Sequence, residues 1–166
     1  MATSKKAGKR PARTANAKTT ASRRRSKPAS PVRARPETLR IRSASPSFTV
    51  NDIGKSLAWY CDVLGFAAGE RWEIEGKLAG VELKAGNVGF MIGQDDWKKG
   101  RDRRKGEGFR IYCETTQDID VLAEAIQARG GVLDHGPRDE PWGVRDFAVT
   151  DPDGFKITIA AQIRKR

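Results

Sequence analysis

The chain has 166 residues, 32 of them Lys or Arg and 21 Asp or Glu, with a formal net charge of +11 and a single histidine. That length suggests one folded domain. No stretch approaches the roughly 20 consecutive apolar residues of a membrane span, none reads as the apolar core of a secretory signal, and two cysteines make no disulfide framework.

The charge is unevenly placed. Residues 1–42 hold 14 of the Lys and Arg against Glu37 alone, which leaves 18 basic and 20 acidic residues for the rest, so the body is mildly acidic. Residues 1–43 are rich in Ala, Lys, Arg, Ser, Thr and Pro and too poor in apolar side chains to offset the entropy of ordering, which predicts a disordered basic tail. Such a tail neutralises phosphates but has no aromatic side chain to stack on bases, so any contact with nucleic acid through residues 1–42 is non-specific and salt-sensitive. Pro11, Pro28, Pro31 and Pro36 interrupt the amphipathic helix that an organellar transit peptide needs. The expected setting is cytoplasmic, with nucleoid association or organellar import as weaker readings.

The folded part is expected over residues 44–163. "SFTV" opens it as a short strand, and Asn51 or Asp52 caps a helix whose Ile53, Leu57, Tyr60, Cys61 and Leu64 share one face, ended by Gly65. Strand patterns follow at Phe66–Glu73, Lys77–Lys84 and Val88–Ile92, separated by Glu75-Gly76 and Gly86-Asn87. The order then repeats. "GFRIYCETT" reads as a strand and "QDIDVLAEAIQARGG" as a helix with Ile119, Leu122, Ala123 and Ile126 on one face. Strand candidates follow at Val132-Leu133, Val144–Val149 and Phe155–Ile159. Asp151-Pro152-Asp153-Gly154 has the residue order of a type I turn. The two helix starts, at Asp52 and Asp118, lie 66 residues apart. The reading is α+β: two tandem β-α-β-β-β modules, about 44–95 and 107–160, forming a curved, cup-shaped mixed sheet.

The stretches "FTVNDIGKSLAWYCDVLGF", "GVELKAGNVGFMIGQDD" and "PWGVRDFAVTDPDGFKITI", in this order, resemble the vicinal oxygen chelate superfamily of glyoxalases, dioxygenases and bleomycin-resistance proteins. The resemblance implies a divalent metal held by His and Glu at four strand positions. Those positions fall here on Ser45, on Phe90 or Met91, on Gly108 or Phe109, and on Thr158, none of which supplies a metal's usual donors. The resemblance is therefore to the metal-free, bleomycin-resistance-like branch, with no catalytic residue, metal or cofactor assigned and a homodimer implied. The function expected is small-molecule binding, with drug sequestration as one form. The alternatives are a metal-dependent lyase, transferase or dioxygenase of the same fold, and a nucleic-acid-associated protein acting through its tail.

Aromatic side chains with a few polar groups describe a small-molecule pocket. The candidate ligand-binding residues are Trp142, Arg145, Phe90, Gln94, Tyr112 and Trp97, with Trp142 foremost because Pro141 and Gly143 place it in a loop at the cup mouth. Trp72 and Phe109 are expected on the same walls, and Trp59 at an edge. The loop Lys98–Lys105, with six basic residues, would repel a cationic ligand and favour an anionic one. His135 reads as an exposed loop histidine, and Cys61 and Cys113 as small core residues.

Overall fold

The computed structural model describes residues 39 and 41–163, so the expected basic tail and its contacts with nucleic acid lie outside the described residues, save for the last few positions before the domain. From Ser47 onward the two β-α-β-β-β modules are present. The first comprises β1 (Ser47–Val50), α1 (Ile53–Ala58), β2 (Ala67–Ile74), β3 (Lys77–Ala85) and β4 (Val88–Gln94). The second comprises β5 (Arg110–Glu114), α2 (Ile119–Ala128), β6 (Leu133–Asp139), β7 (Val144–Thr150) and β8 (Lys156–Gln162). Each forms a four-stranded mixed sheet, in the orders β1-β4-β3-β2 and β5-β8-β7-β6. In each, only the module's first and last strands pair in parallel.

The helix starts follow the capping rule. Asp52 Oδ1 accepts from the Lys55 amide at 3.0 Å, and Asp118 Oδ1 from the Asp120 and Val121 amides. Past Ala58 the first helix widens into a π-helical stretch, Trp59–Leu64, closed by Gly65. The changed repeat alters the expected apolar face. Tyr60 is fully buried, whereas Cys61 and Leu64 are half-buried at the core's margin. Burial of the side chain pushes both the Cys61 and the Cys113 thiol up, which leaves neither thiolate-like.

Each helix covers one face of its sheet, and the two covered faces share one core. Phe48 of β1 lies 4.5 Å from Phe155 and 5.7 Å from Phe90 between ring centroids. Phe48, Phe90, Val81, Leu83, Phe147 and Ile157 are all essentially inaccessible. Polar ties between the modules run through this side. The Tyr60 hydroxyl donates to Asp151 Oδ2 at 3.0 Å, the Ser56 hydroxyl to Asp153 Oδ2 at 3.1 Å, and Arg129 Nε to the Val63 carbonyl at 2.8 Å. Burial raises the Tyr60 phenol and the Asp151 carboxyl above their ordinary values.

The linker between modules is held by a buried charge cluster. Asp95 Oδ2 lies 2.7 Å from both Arg103 Nη2 and Lys105 Nζ, and its Oδ1 accepts from the Trp97 amide. These partners, Lys105 first, hold the Asp95 carboxyl well below the usual carboxylate range. At Gly106 a Cβ would stand 2.1 Å from the Gly154 carbonyl oxygen, so glycine is what lets the linker cross the β7–β8 turn.

Candidate functional site

Strand pairing decides which side chains share the faces left without a helix. On the first sheet, Ser47 pairs with Met91 and Met91 with Glu82. Glu82 is held by Lys84 at 2.9 Å, and this open face offers little beyond that pair, Met91 and a half-exposed Trp72. On the second sheet, Tyr112 pairs with Thr158, Thr158 with Ala148 and Ala148 with His135. One row further, Glu114 pairs with Ala160, Ala160 with Asp146 and Asp146 with Arg138. The result is a trough with a floor of buried small residues, Ala148, Thr158 and Ala160, and with Tyr112 and His135 on its two outer strands.

The β6–β7 turn adds a third wall. The Glu140 amide donates to the Val144 carbonyl at 2.8 Å and the Gly143 amide to the Glu140 carbonyl at 3.0 Å. Gly143 takes φ of 93°, a conformation that costs glycine little, and Trp142 stands at the tip, 67 % exposed. The Ile163 amide donates to the Gly143 carbonyl and fixes the turn to the end of β8. Trp142 lies near enough to Tyr112, itself 46 % exposed, to ease ionisation of its phenol. Partial burial raises that phenol, and the nearby carboxylates of Glu114, Asp146 and Glu140 raise it further.

Asp146 is the unusual member. It is 4 % exposed, and its Oδ1 is buried without a hydrogen-bond partner among the described residues. Its nearest basic group is His135 Nε2 at 4.0 Å. The other imidazole nitrogen, Nδ1, lies 3.1 Å from the Gly136 carbonyl. His135 is therefore not a loop residue: β6 runs on through Asp139 as an edge strand that tolerates Pro137, and it carries the imidazole to the trough.

Of the six candidate ligand residues, the fold brings together Tyr112 and Trp142. Phe90 is 1 % exposed and packs against Phe48 and Phe66, so it belongs to the core, since its strand turns it to the helix-covered side. Gln94 is occupied at the start of α1, where its Oε1 accepts from the Ile53 amide and its Nε2 donates to the Asn51 carbonyl. Trp97 sits in the linker under the Arg101 guanidinium, 4.5 Å from the ring centroid. Arg145 alternates to the face opposite Asp146. There it binds both carboxylate oxygens of Asp120 at 2.7 Å and Asp139 at 2.6 Å. Half of the basic loop is paired within the linker: Arg103 and Lys105 turn inward to Asp95, and Lys98 pairs with Asp96.

The positions at which the resemblance puts a metal do not fit one. Arg110 Nη1 donates to Thr158 Oγ1 at 3.0 Å, so a fixed cation already occupies that hydroxyl, and Phe109 packs edge-on against Phe48. No group of three or more His, Cys, Asp or Glu side chains with metal-binding spacing exists among the described residues. A cavity of about 760 Å³ lies beside β5, between the Ala85–Val88 turn and α2. It reaches round to Tyr112 and Glu114, but its floor is the apolar helix side, with Leu122, Ile126, Ile157 and Ile159. Among the described residues no helix is long and apolar enough to cross a membrane.

Comparison with known proteins agrees with this architecture. The family model for the Glyoxalase/Bleomycin resistance protein/Dioxygenase superfamily matches residues 42–159. A bleomycin resistance protein from Geobacillus stearothermophilus is 29 % identical over 129 residues, covering 72 % of this chain and 96 % of that protein. A protein from Synechocystis sp. described as "Probable lactoylglutathione lyase" is 30 % identical over 125 residues, 70 % of this chain and 92 % of its own length. Among solved structures, a glyoxalase/bleomycin resistance protein/dioxygenase from Nocardioides superposes with a TM-score of 0.59 at 17 % identity. It covers 78 % of this chain and 89 % of that one. TioX from Micromonospora sp. ML1 gives 0.57 at 18 % identity over 75 % of this chain and 98 % of that one. At those identities the superpositions speak for the fold.

Proposed function

Because this chain belongs to the Glyoxalase/Bleomycin resistance protein/Dioxygenase superfamily, we propose that it binds a small molecule in the trough between Tyr112, Trp142 and His135, in the manner of a drug-sequestering protein. The observation that carries this reading is the exposed Tyr112–Trp142 pair on a sheet face that no helix of its own module covers. Aromatic rings left in water in one patch mark a binding surface more often than scattered apolar residues do. A single sheet face cannot enclose a ligand, and small-molecule sites bury most of the ligand's surface. A second copy of the chain, bringing the Trp72 and Met91 face of its first sheet, would supply the missing wall. A homodimer with one trough per chain follows.

The test is calorimetric titration of the full chain with bleomycin, alongside light scattering for mass. The expected result is a dimer that binds one bleomycin per chain, with affinity reduced at least tenfold by Trp142→Ala, on the order of the 1.4 kcal/mol that a decade represents. Saturable binding that is indifferent to Trp142, or a monomer at concentrations where binding is complete, would refute the reading. The Synechocystis relative motivates a second reading, a lyase. Formation of lactoylglutathione by the purified chain, with or without added zinc or nickel, would put that reading first.

A further inference from the structure

The trough carries more information than its aromatic walls. Three carboxylates, Glu114, Asp146 and Glu140, lie close enough to the Tyr112 phenol to act on it electrostatically. Glu140 has its counter-ion in Arg138 Nε at 2.7 Å. Asp146 has none: it is 4 % exposed, its Oδ1 is orphaned, and its one basic neighbour stands 4.0 Å off. A buried carboxylate oxygen without a donor is costly, and proteins normally supply a partner. Here the orphaned oxygen is flanked by the His135 imidazole on the outer strand.

We propose that Asp146 is a specificity-determining residue of the trough and that the ligand carries a cationic N–H group, an amidinium, guanidinium or protonated amine, drawn between Asp146 and the Tyr112–Trp142 wall. This rests on the small-molecule reading above. The chain's net charge of +11 does not oppose it, because residues 1–42 carry that charge and the remainder holds 18 basic against 20 acidic residues. Local field decides: three carboxylates, Asp146, Glu114 and Glu140, act on Tyr112, against Arg138, which is paired with Glu140, and Arg110, which is held on Thr158. A planar amidinium suits the site, since its N–H groups meet a carboxylate edge while its ring lies on an indole. His135 is drawn aside to let the group reach Oδ1. Its side chain is 22 % exposed.

His135 is the only histidine, so its imidazole signals in the 15N-labelled full chain report on this trough alone. The probes are benzamidinium, benzoate and benzamide, three molecules with one ring and different charge. The expected result is that benzamidinium shifts the His135 signals and binds at least tenfold more tightly than either of the others. Added salt weakens its binding while sparing benzamide. Asp146→Asn removes the preference, while Glu75→Gln, in the β2–β3 turn, keeps it. Benzoate binding as well as benzamidinium, with the same His135 shifts, would overturn the cation inference and leave the small-molecule reading standing. If none of the three moves His135 and bleomycin binding ignores Trp142→Ala, both readings fall. Should Asp146→Asn unfold, the salt dependence in the native chain decides: a benzamidinium affinity insensitive to salt refutes the inference. Dissociation of the dimer by Asp146→Asn with benzamidinium binding unchanged would assign the carboxylate's partner to a second copy and likewise refute it.

Discussion

The helix-covered side of the two sheets and the open face of the second sheet treat buried acids in opposite ways. In the linker Asp95 meets Arg103, Lys105 and an amide, and on the covered side Asp151 accepts from the Tyr60 hydroxyl and the Asp153 and Phe155 amides. On the open face, Asp146 is as deeply buried as either, yet one of its oxygens has no donor. Satisfied polar groups join modules and linker, whereas an unsatisfied one within an otherwise consistent fold marks the place where something else is to bind.

The sharpest way to break the comparison is through the shared core. Phe48→Ala removes the ring that meets Tyr60, Phe90, Phe109 and Phe155. It should cost about 3–5 kcal/mol in denaturant unfolding, with modules loosened together. The two satisfied acids should give pH effects of opposite sign. The Asp95 carboxyl is depressed from 3.8 by Lys105 and its other donors. Its stabilisation is therefore present above the unfolded value and lost as pH falls toward the folded one. Asp95→Asn should flatten the acid limb of the stability curve below that value. The Asp151 carboxyl is raised from 3.8, by burial first. Its contribution is present below 3.8 and lost as pH rises through the folded value, so Asp151→Asn should remove a decline on that rising side. Melting temperatures in buffers spanning this range check both. The smallest effect on stability belongs to the binding wall: Trp142→Ala, at an exposed turn tip, should change unfolding free energy by no more than about 0.5 kcal/mol while lowering ligand affinity. A large loss of stability would make the indole a packing residue.

The two modules teach the same lesson along the chain. Both repeat one strand and helix order, yet the first sheet's open face ends in a paired Glu82–Lys84 and scattered Trp72 and Met91, while the second gathers tyrosine, histidine, tryptophan and an orphaned carboxylate. Duplication of a fold does not duplicate its chemistry.

Much of this architecture was legible because its signals are local. Asp52 and Asp118 cap helices through amides two or three residues on. The Asp151–Gly154 turn closes through its own backbone, the Gly154 amide donating to the Asp151 carbonyl at 3.0 Å. Apolar alternation marks β7 and β8. Phe90, Gln94, Trp97 and Arg145 lie away from the Tyr112–Trp142 pair, each engaged elsewhere. Most of their partners, Phe48 and Phe66, the Ile53 amide and Asn51 carbonyl, and Asp120, come from other segments, whose register residue type does not encode. His135 looks like a loop residue in the sequence because Pro137 and its polar neighbours disguise an edge strand. Asp146 left one visible trace, an acid in the middle of the strand "VRDFAVT", otherwise almost wholly buried.

Sequence by itself determined the two-module plan, the caps and turns, and the absence of metal donors from the expected strand positions, since each depends on residue identity over a few neighbours. Tertiary structure alone decided which basic groups are already paired, that Tyr112, Trp142, His135 and Asp146 share one face, and that Asp146 is left without a partner, because pairing across strands is set by register and burial summed over the whole fold.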